Sequence, residues 1–336
     1  MKQLAGYLKQ FAKEINRTSF VIVTAYTAVM VWFNYYFNLE KAILKSGFGL
    51  LSFASFFFLY LAVFGGSYFI VFLLRKSSVA KTAQFTPGTY YRPADALPTY
   101  NAPDRYHAQP DVFFGFLLLV TTCFFAWRVS SGSATRFLPV GNGADSTRYW
   151  AFILRPPLKF AVLMLMIEVV RRLGKYHAPV SGLLKQNPSL KPFLVLLICF
   201  VPVIMIIGSQ PDFLISYPRV KVVDKLLPHN YRSWIPDMLF ELSYAFDFLT
   251  AEVFFRGLLV LAFVRYAGAA AILPMASFYC AIHFGKPLVE CISSYAGAIM
   301  LGVITYRTGS VIGGLVLHLG IGWLMELVAV VYNRLT

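Results

Sequence analysis

The stretch Thr250-Ala251-Glu252-Val253-Phe254-Phe255-Arg256-Gly257 places a carboxylate and a guanidinium inside a long apolar run. Glu252 and Arg256 stand four residues apart, so on an α-helix they share one face about a turn from each other. Either charge alone at mid-membrane costs roughly 2.5–3.5 kcal/mol, and pairing offsets much of that cost. The pair therefore indicates either a buried ion pair that fixes helix packing or one part of a functional site.

Two histidines further along the chain favour a functional site. His283 lies at the end of an apolar segment, just before the break Gly285-Lys286-Pro287, and His318 lies near the middle of the last apolar segment. A lone histidine on an apolar helix is often a core residue that hydrogen-bonds to a carbonyl group. Here, however, three predicted helices carry ionisable groups, and such groups are costly in contact with lipid unless they pair with one another inside the bundle. We predict that these groups converge on one wet pocket that is closed to lipid.

A carboxylate and two imidazoles in such a pocket have two possible uses. They can activate a water molecule and stabilise an oxyanion, or they can bind zinc through two nitrogens and one oxygen. The His-Glu-x-x-His helix of common zinc proteases is absent from the sequence. The pattern therefore does not indicate a metal, and we expect neither a metal nor a cofactor.

These residues resemble the motifs of the CPBP family (CAAX protease and bacteriocin-processing, or Abi), which consists of intramembrane endopeptidases. The family motifs are Glu-Glu-x-x-x-Arg, Phe-x-x-x-His and His-x-x-x-Asn. The resemblance covers roughly residues 237–333. In this chain the three motifs stand as Ala251-Glu252-x-x-x-Arg256, Tyr279-x-x-x-His283 and His318-x-x-x-Gly322.

The resemblance implies hydrolysis of a peptide bond in a membrane-associated peptide or protein. A glutamate and the first histidine would activate water, and the second histidine would polarise the carbonyl group. By this resemblance Glu252 and His283 act on water, His318 acts on the carbonyl group, and Arg256 holds Glu252. We expect a membrane-embedded or membrane-tethered substrate and no required metal.

Two positions depart from the family pattern. Ala251 replaces the first glutamate, and Gly322 replaces the asparagine, so one proton acceptor and one hydrogen-bond donor are missing. Asp247 stands four residues before Ala251, about 40° round an α-helix, and is a candidate replacement carboxylate. Alternatively, Glu252 itself takes the role of the base. Glu326, two turns past His318, is less well placed but could orient an imidazole through an intermediary.

The two departures leave other functions open. One alternative is a catalytically degenerate scaffold that binds a membrane protein partner or a lipid. A proton-coupled transporter is a weaker alternative, because no internal repeat is visible and the ionisable residues fall in one third of the chain.

The composition is that of a multi-pass membrane protein. Hydrophobic residues make up 58% of the 336 residues and charged residues only 13%, with a mean hydropathy of +0.64. We predict an all-α bundle of about eight to nine transmembrane helices. The net charge of +15 comes from basic residues at segment ends rather than from a soluble basic domain, which argues against nucleic-acid binding. The four cysteines form no Cys-x-x-Cys pair, so a disulfide framework is not indicated.

The apolar segments divide the chain into three regions. Residues 1–208 form an N-terminal transmembrane region with a polar loop at 76–110, residues 209–236 a polar linker or interfacial segment, and residues 237–336 the catalytic core. The distribution of lysine and arginine predicts a cytoplasmic N-terminus, with the loops at 76–110 and 172–191 on the same side. We expect a multi-pass protein of a bacterial plasma (inner) membrane that can take part in a membrane-protein complex. The predicted spans lie near 19–38, 48–74, 112–129, 150–171, 192–208, 237–265, 269–285, 287–306 and 311–333.

Overall fold

The described part of the protein folds into helices. The computed structural model describes residues 2–45, 49–81, 110–130, 144–176, 178–183, 190–227 and 234–335, and none of these residues forms a β-strand. The prediction of an all-α fold is confirmed. Most of the predicted loop at 76–110 lies outside the described residues, as do parts of the loops at 172–191 and 209–236.

Fourteen α-helices, one π-helix and one 3-10 helix are formed by the described residues. Their bounds are α1 Lys2–Glu14, α2 Arg17–Phe37, α3 Leu39–Lys45, α4 Leu50–Lys81, α5 Val112–Ser130, α6 Ala144–Leu173, α7 Lys191–Gly208, α8 Pro211–Ser216, α9 Lys221–Leu226, α10 Ile235–Ala251, the π-helix Glu252–Ala262, α11 Val264–Ala267, the 3-10 helix Gly268–Ala271, α12 Ile272–Ala281, α13 Leu288–Thr308 and α14 Ile312–Leu335.

Six of the described helices are long and apolar enough to cross a membrane. These helices, α2, α4, α5, α7, α13 and α14, coincide with six of the predicted spans. A bent pair, Ile235–Ala262 with Val264–Ala281, covers the predicted spans at 237–265 and 269–285 and bends by 41° at the break. The protein is therefore a multi-pass integral membrane protein.

The predicted count of eight to nine spans is not confirmed. Counting the bent pair as one span gives up to seven candidates among the described residues. Helix α6 covers the predicted span at 150–171 but is not one of these candidates. Its apolar stretch is interrupted by Arg155, Pro156, Pro157 and Lys159.

The helices belong to two compact units, each built from separate parts of the chain. The first unit comprises residues 1–132, 167–185 and 254–311. Its centre is α12, in which all ten residues are buried and which packs against α2, α4 and α13. Aromatic rings surround Phe278 at centroid distances of 5.1–5.5 Å, namely Tyr60, Phe64, Phe125 and Phe255. Because lipid is as apolar as these rings, close packing rather than escape from water holds them together.

The second unit comprises residues 133–166, 186–253 and 312–336, and α14 is its centre. Helix α14 packs against α7 and α10. An added Cβ at Gly313 or Gly320 would lie within 2.5 Å of Phe193 or Leu197 on α7. These glycines let the two helices approach closely, as small residues commonly do inside membranes.

Candidate active site

The segment that carries Glu252 and Arg256 is a π-helix rather than the expected α-helix. It begins at Glu252 and ends at Ala262. In a π-helix the backbone hydrogen bond reaches one residue further than in an α-helix. The expectation of an α-helix over this segment was therefore wrong, whereas the pairing of Glu252 with Arg256 stays a prediction. π-Helical turns are rare and occur frequently at functional sites.

Glu252 and His318 form a hydrogen-bonded pair in the second unit. The distance between His318 Nδ1 and Glu252 Oε1 is 2.7 Å. The Glu252 side chain is fully buried, whereas the His318 side chain is 25% exposed. The hydrogen bond fixes the orientation of the His318 ring against a buried carboxylate.

Phe248 occupies the space next to His318 and Gly322. Its ring meets the His318 ring edge to face, with centroids 4.9 Å apart and planes at 88°. An added Cβ at Gly322 would lie 2.4 Å from Phe248 Cζ. Any side chain at position 322 therefore collides with this ring. Phe248 on α10 therefore fills the space beside position 322, where the family motif has an asparagine and this chain has a glycine.

In the first unit, Tyr279 contacts both Arg256 and His283. The Arg256 guanidinium carbon lies 4.0 Å from the centroid of the Tyr279 ring, and the Arg256 residue is 1% exposed. A desolvated cation over an aromatic face is stabilised by roughly 2 kcal/mol. The rings of Tyr279 and His283 have centroids 4.8 Å apart. The aromatic residue of the second motif thus links two of the predicted site residues.

The backbone of α12 fixes the tautomer of His283. His283 Nδ1 lies 2.8 Å from the carbonyl oxygen of Tyr279. A carbonyl oxygen only accepts hydrogen bonds, so Nδ1 carries the proton and donates it. In the neutral ring, Nε2 then keeps its lone pair. His283 is therefore set up as a proton acceptor at Nε2.

The glycine that follows Arg256 allows a close backbone contact in the first unit. An added Cβ at Gly257 would lie 2.4 Å from the carbonyl oxygen of Ser181. Ser181 is buried and stands beside Gly182, whose φ of +71° is unfavourable for other residues. The turn at 181–182 therefore packs directly on the π-helix at the residue after Arg256.

The loop that follows His283 is held by α2 and α3. Asn34 Nδ2 donates to the carbonyl oxygen of Phe284 at 3.1 Å, and the Tyr35 hydroxyl donates to the carbonyl oxygen of Lys286. Helix α3 continues this contact, since an added Cβ at Gly285 would lie 2.6 Å from the Glu40 carboxylate. Nothing in the motif pattern indicates that the N-terminal helices support the loop of the second motif.

A cavity of about 360 Å³ lies between this loop, the end of α2 and the start of α3. Asn34, Glu40, Lys41 and Lys286 are among the residues that line it. Burial raises the pKa of Glu40 above its ordinary value, and the neighbouring charge of Lys41 counteracts part of that rise. The cavity therefore contains charged groups of both signs beside the His283 loop.

The remaining acidic candidates differ in their surroundings. Asp247 is half-buried on α10, one turn before the partly exposed Ala251. Glu326 accepts hydrogen bonds from the backbone N–H groups of Arg219 and Val220, at 2.7–3.3 Å. Glu326 therefore anchors the turn before α9, and the suggestion that it orients an imidazole finds no support in these contacts.

No group of three or more histidine, cysteine, aspartate or glutamate side chains suited to a metal ion occurs among the described residues. The four cysteines, Cys123, Cys199, Cys280 and Cys291, are free thiols.

The motif region matches a known protein family. Residues 235–324 match the family model of the type II CAAX prenyl endopeptidase Rce1-like proteins. No curated protein and no solved structure matches the chain. The matched segment contains all three motifs, from Ala251 to Gly322. The resemblance predicted from those motifs is confirmed: over residues 235–324, this chain carries the type II CAAX prenyl endopeptidase sequence pattern of the CPBP family.

Proposed function

We propose that this protein is an intramembrane endopeptidase that hydrolyses a peptide bond in a membrane-embedded or membrane-tethered peptide. The observation that carries the proposal is the 2.7 Å hydrogen bond between Glu252 and His318. Glu252 belongs to the first motif and His318 begins the third, so this bond joins two of the motifs. The match of residues 235–324 to an endopeptidase family supports the same conclusion.

In the first step His283 acts as the general base. Its Nδ1–H donates to the carbonyl oxygen of Tyr279, so Nε2 accepts a proton from a water molecule. The water oxygen forms a bond to the carbonyl carbon of the substrate, and the carbonyl oxygen becomes an oxyanion. The Tyr279 ring keeps the His283 ring in one orientation during this step.

The Glu252–His318 pair stabilises the oxyanion. Glu252 accepts a hydrogen bond from His318 Nδ1–H and orients the ring, and Nε2–H of the protonated ring donates to the oxyanion. When the intermediate collapses, the C–N bond breaks and His283 gives its proton to the leaving amine. In this scheme Glu252 orients His318 instead of taking the water proton itself.

Asp247 and Arg256 have supporting roles in the proposal. Asp247 supplies the negative charge that Ala251 lacks and helps to hold the attacking water. Arg256, fixed over the Tyr279 ring, supplies a buried positive charge four residues after Glu252 in the sequence.

The name of the matched family suggests the first substrate to test. We propose that the substrate is a peptide that ends in a prenylated cysteine followed by a short C-terminal sequence. A lipid-modified peptide of this kind reaches an active site inside the membrane by lateral diffusion. An unmodified transmembrane peptide is the comparison substrate.

The deciding experiment measures peptide cleavage by the purified protein in proteoliposomes. We expect cleavage of the prenylated peptide and a loss of about 100-fold or more in the variants His283→Ala and Glu252→Gln. The matched control is Glu290→Gln, because Glu290 is a half-exposed carboxylate on α13 beside Lys286. Equal cleavage by the wild type and both variants contradicts the proposal.

A second candidate function is a scaffold that no longer cuts but binds a membrane protein or a lipid. The observation in its favour is the Phe248 ring, which fills the space that an asparagine at position 322 would need. This function predicts no cleavage of any peptide by the wild type. It also predicts that the triple variant with Ala251→Glu, Gly322→Asn and Phe248→Ala gains activity.

A further inference from the structure

Two buried thiols face each other across the loop that contains His283. The sulfur atoms of Cys280 on α12 and Cys291 on α13 are 3.6 Å apart. Cys280 is 1% exposed and Cys291 is fully buried. The other two cysteines, Cys123 and Cys199, are exposed on α5 and α7. The pair therefore differs from the rest of the cysteines in both burial and proximity.

The backbones of the two cysteines are also close. The Cys280 thiol donates to the carbonyl oxygen of Cys291 at 3.3 Å, and the Cys291 thiol donates to the carbonyl oxygen of Cys280 at 3.6 Å. Each sulfur thus reaches the main chain of the other residue. A disulfide requires an S–S distance of about 2.05 Å and closely spaced backbones. The two sulfur atoms are about 1.5 Å further apart than in a disulfide, so bond formation requires them to move closer by that amount.

We propose that Cys280 and Cys291 are a modification site, at which a peroxide oxidises the two thiols to an intramolecular disulfide. The oxidant is hydrogen peroxide or another small hydroperoxide. Its size matters, because the two sulfur atoms are buried and a bulky disulfide such as oxidised glutathione does not reach them. The bond would join α12 to α13, eleven residues apart in the chain.

The reaction balances in two steps. In the first step the thiol of one cysteine loses its proton and attacks a peroxide oxygen, the O–O bond breaks, and a sulfenic acid forms; the leaving oxygen takes up the proton and departs as water from hydrogen peroxide or as an alcohol from another hydroperoxide. In the second step the other thiol attacks the sulfenic sulfur, the S–O bond breaks, and a water molecule leaves. The two thiols lose two electrons and two protons in total, and the peroxide is reduced.

The disulfide would close a loop that includes His283, Phe284 and Lys286. Hydrogen bonds from Asn34 and Tyr35 already hold this loop at two points. A covalent link between Cys280 and Cys291 would limit how far α12 and α13 can move relative to each other. The proposal concerns the thiols alone and does not depend on peptide cleavage.

The test is differential thiol labelling of the full-length protein in detergent. The protein is treated with hydrogen peroxide, denatured, labelled with N-ethylmaleimide, digested and analysed by mass spectrometry. We expect one linked peptide pair that contains Cys280 and Cys291, has lost two hydrogen atoms, and separates after treatment with dithiothreitol. Oxidised glutathione should not produce this pair in the folded protein.

Two variants distinguish the pair from general oxidation. In Cys280→Ser we expect Cys291 to become a sulfenic or sulfinic acid without any linked peptide. In the control Cys199→Ser the linked pair should form as in the wild type. If both Cys280 and Cys291 are still labelled after Cys123 and Cys199 have been oxidised, the proposal is overturned.

Discussion

At the scale of single residues, Phe248 determines what position 322 can hold. Its ring lies between α10 and α14, against His318 on one side and Gly322 on the other. The ring approaches Gly322 so closely that an added Cβ would lie 2.4 Å from Phe248 Cζ, so a larger residue at position 322 requires the ring to move. Gly322, which stands where the family motif has an asparagine, and Phe248 therefore belong to the same packing contact.

We expect Gly322→Ala to destabilise the protein by about 1–3 kcal/mol, the usual cost of overpacking a core. Thermal unfolding in detergent measures the effect. The double variant Gly322→Ala with Phe248→Ala should recover part of the loss, because the smaller side chain vacates the space. A purely additive effect of the two substitutions would show that the contact does not exist.

The control for this prediction is Gly297→Ala. Gly297 lies on α13, and nothing lies within 4 Å of an added Cβ there. Alanine is favoured over glycine inside a helix by roughly 0.5–1 kcal/mol. Gly297→Ala should therefore leave the unfolding temperature unchanged or raise it slightly.

The sequence shows residue types at this site but not their contacts. Glu252, His283 and His318 could be singled out because charged and imidazole groups are costly in lipid. Phe248 could not, because one more phenylalanine in an apolar run carries no signal until its neighbour at position 322 is known. The proton on His283 Nδ1 likewise depends on the Tyr279 carbonyl group, which only the folded helix places at 2.8 Å.

Asp111, just before α5, gives a residue-scale prediction that pH can test. Burial alone would raise its pKa, but the hydrogen bonds from Phe114 N–H and the Tyr266 hydroxyl, together with the charge of Arg265, lower it below the ordinary value. A group with a depressed folded pKa stabilises the protein above its unfolded pKa of about 3.9, and this contribution is lost as the pH falls through the folded pKa. Asp111→Asn should therefore lower the unfolding temperature at neutral pH.

The difference between wild type and Asp111→Asn should shrink as the pH falls from about 5 to about 2.5. The control is Asp145→Asn, because the Asp145 side chain is 63% exposed and its contact with Arg148 is 3.5 Å long. Such surface pairs contribute little to stability. A difference for Asp111→Asn that stays constant over this pH range would refute the assigned shift.

At the scale of secondary-structure elements, α2 supports the loop that carries the second motif. Asn34 is buried, its amide group donates to Phe284, and its oxygen accepts from the backbone N–H of Glu40. One side chain thus ties the end of α2 both to α3 and to the His283 loop. The N-terminal helices lie outside the matched segment 235–324, so the family pattern did not reveal this support.

We expect Asn34→Ala to loosen residues 283–287. The substitution leaves the buried carbonyl group of Phe284 without this partner, which costs about 1–3 kcal/mol, and removes the acceptor of the part-buried Glu40 N–H group. Hydrogen–deuterium exchange read by mass spectrometry should show faster exchange in this loop. Peptides from α7 should exchange at the wild-type rate.

Asn333→Ala is the matched control for this experiment. Asn333 is exposed near the end of α14 and donates only to the carbonyl oxygen of Ala329, one turn back. Its loss should affect the helix end and leave the His283 loop unchanged. Equal protection of residues 283–287 in wild type and Asn34→Ala would rule out the supporting role.

Most elements could be predicted from hydropathy, and the exceptions have local causes. Six spans were placed within a few residues because about 20 apolar residues in sequence leave little choice in a membrane. The π-helix at Glu252 was missed because apolar periodicity does not distinguish it from an α-helix when nearly every residue is apolar. The bend before Val264 was likewise hidden, since it depends on backbone geometry rather than on a proline.

At the scale of the whole molecule, two contacts within the first unit are consistent with the membrane sides that the lysine and arginine distribution predicts. The lysine and arginine distribution assigns the N-terminus, residue 265 and residue 307 to one side. Glu14 pairs with Arg307 at 2.8 Å, and Arg265 donates to the carbonyl oxygen of Gly174 at 2.9 Å. Each contact joins segments that the charge rule assigns to the same side.

The opposite side is defined by the end of α2 and the His283 loop. Asn34 and Tyr35 contact Phe284 and Lys286, and the charge rule assigns all four residues to the non-cytoplasmic side. We therefore predict that Lys13 is cytoplasmic and that Glu290 faces the other side. Both are exposed and suit replacement by a single cysteine.

The measurement is labelling of single-cysteine variants with a membrane-impermeant maleimide in intact cells. Lys13→Cys and Glu290→Cys are built in a variant whose four native cysteines are replaced by alanine. Glu290→Cys should be labelled directly, and Lys13→Cys only after the membrane is permeabilised, because its side chain then becomes reachable. Labelling of Lys13→Cys in intact cells would reverse the orientation, and labelling of both would show that α2 does not cross the membrane.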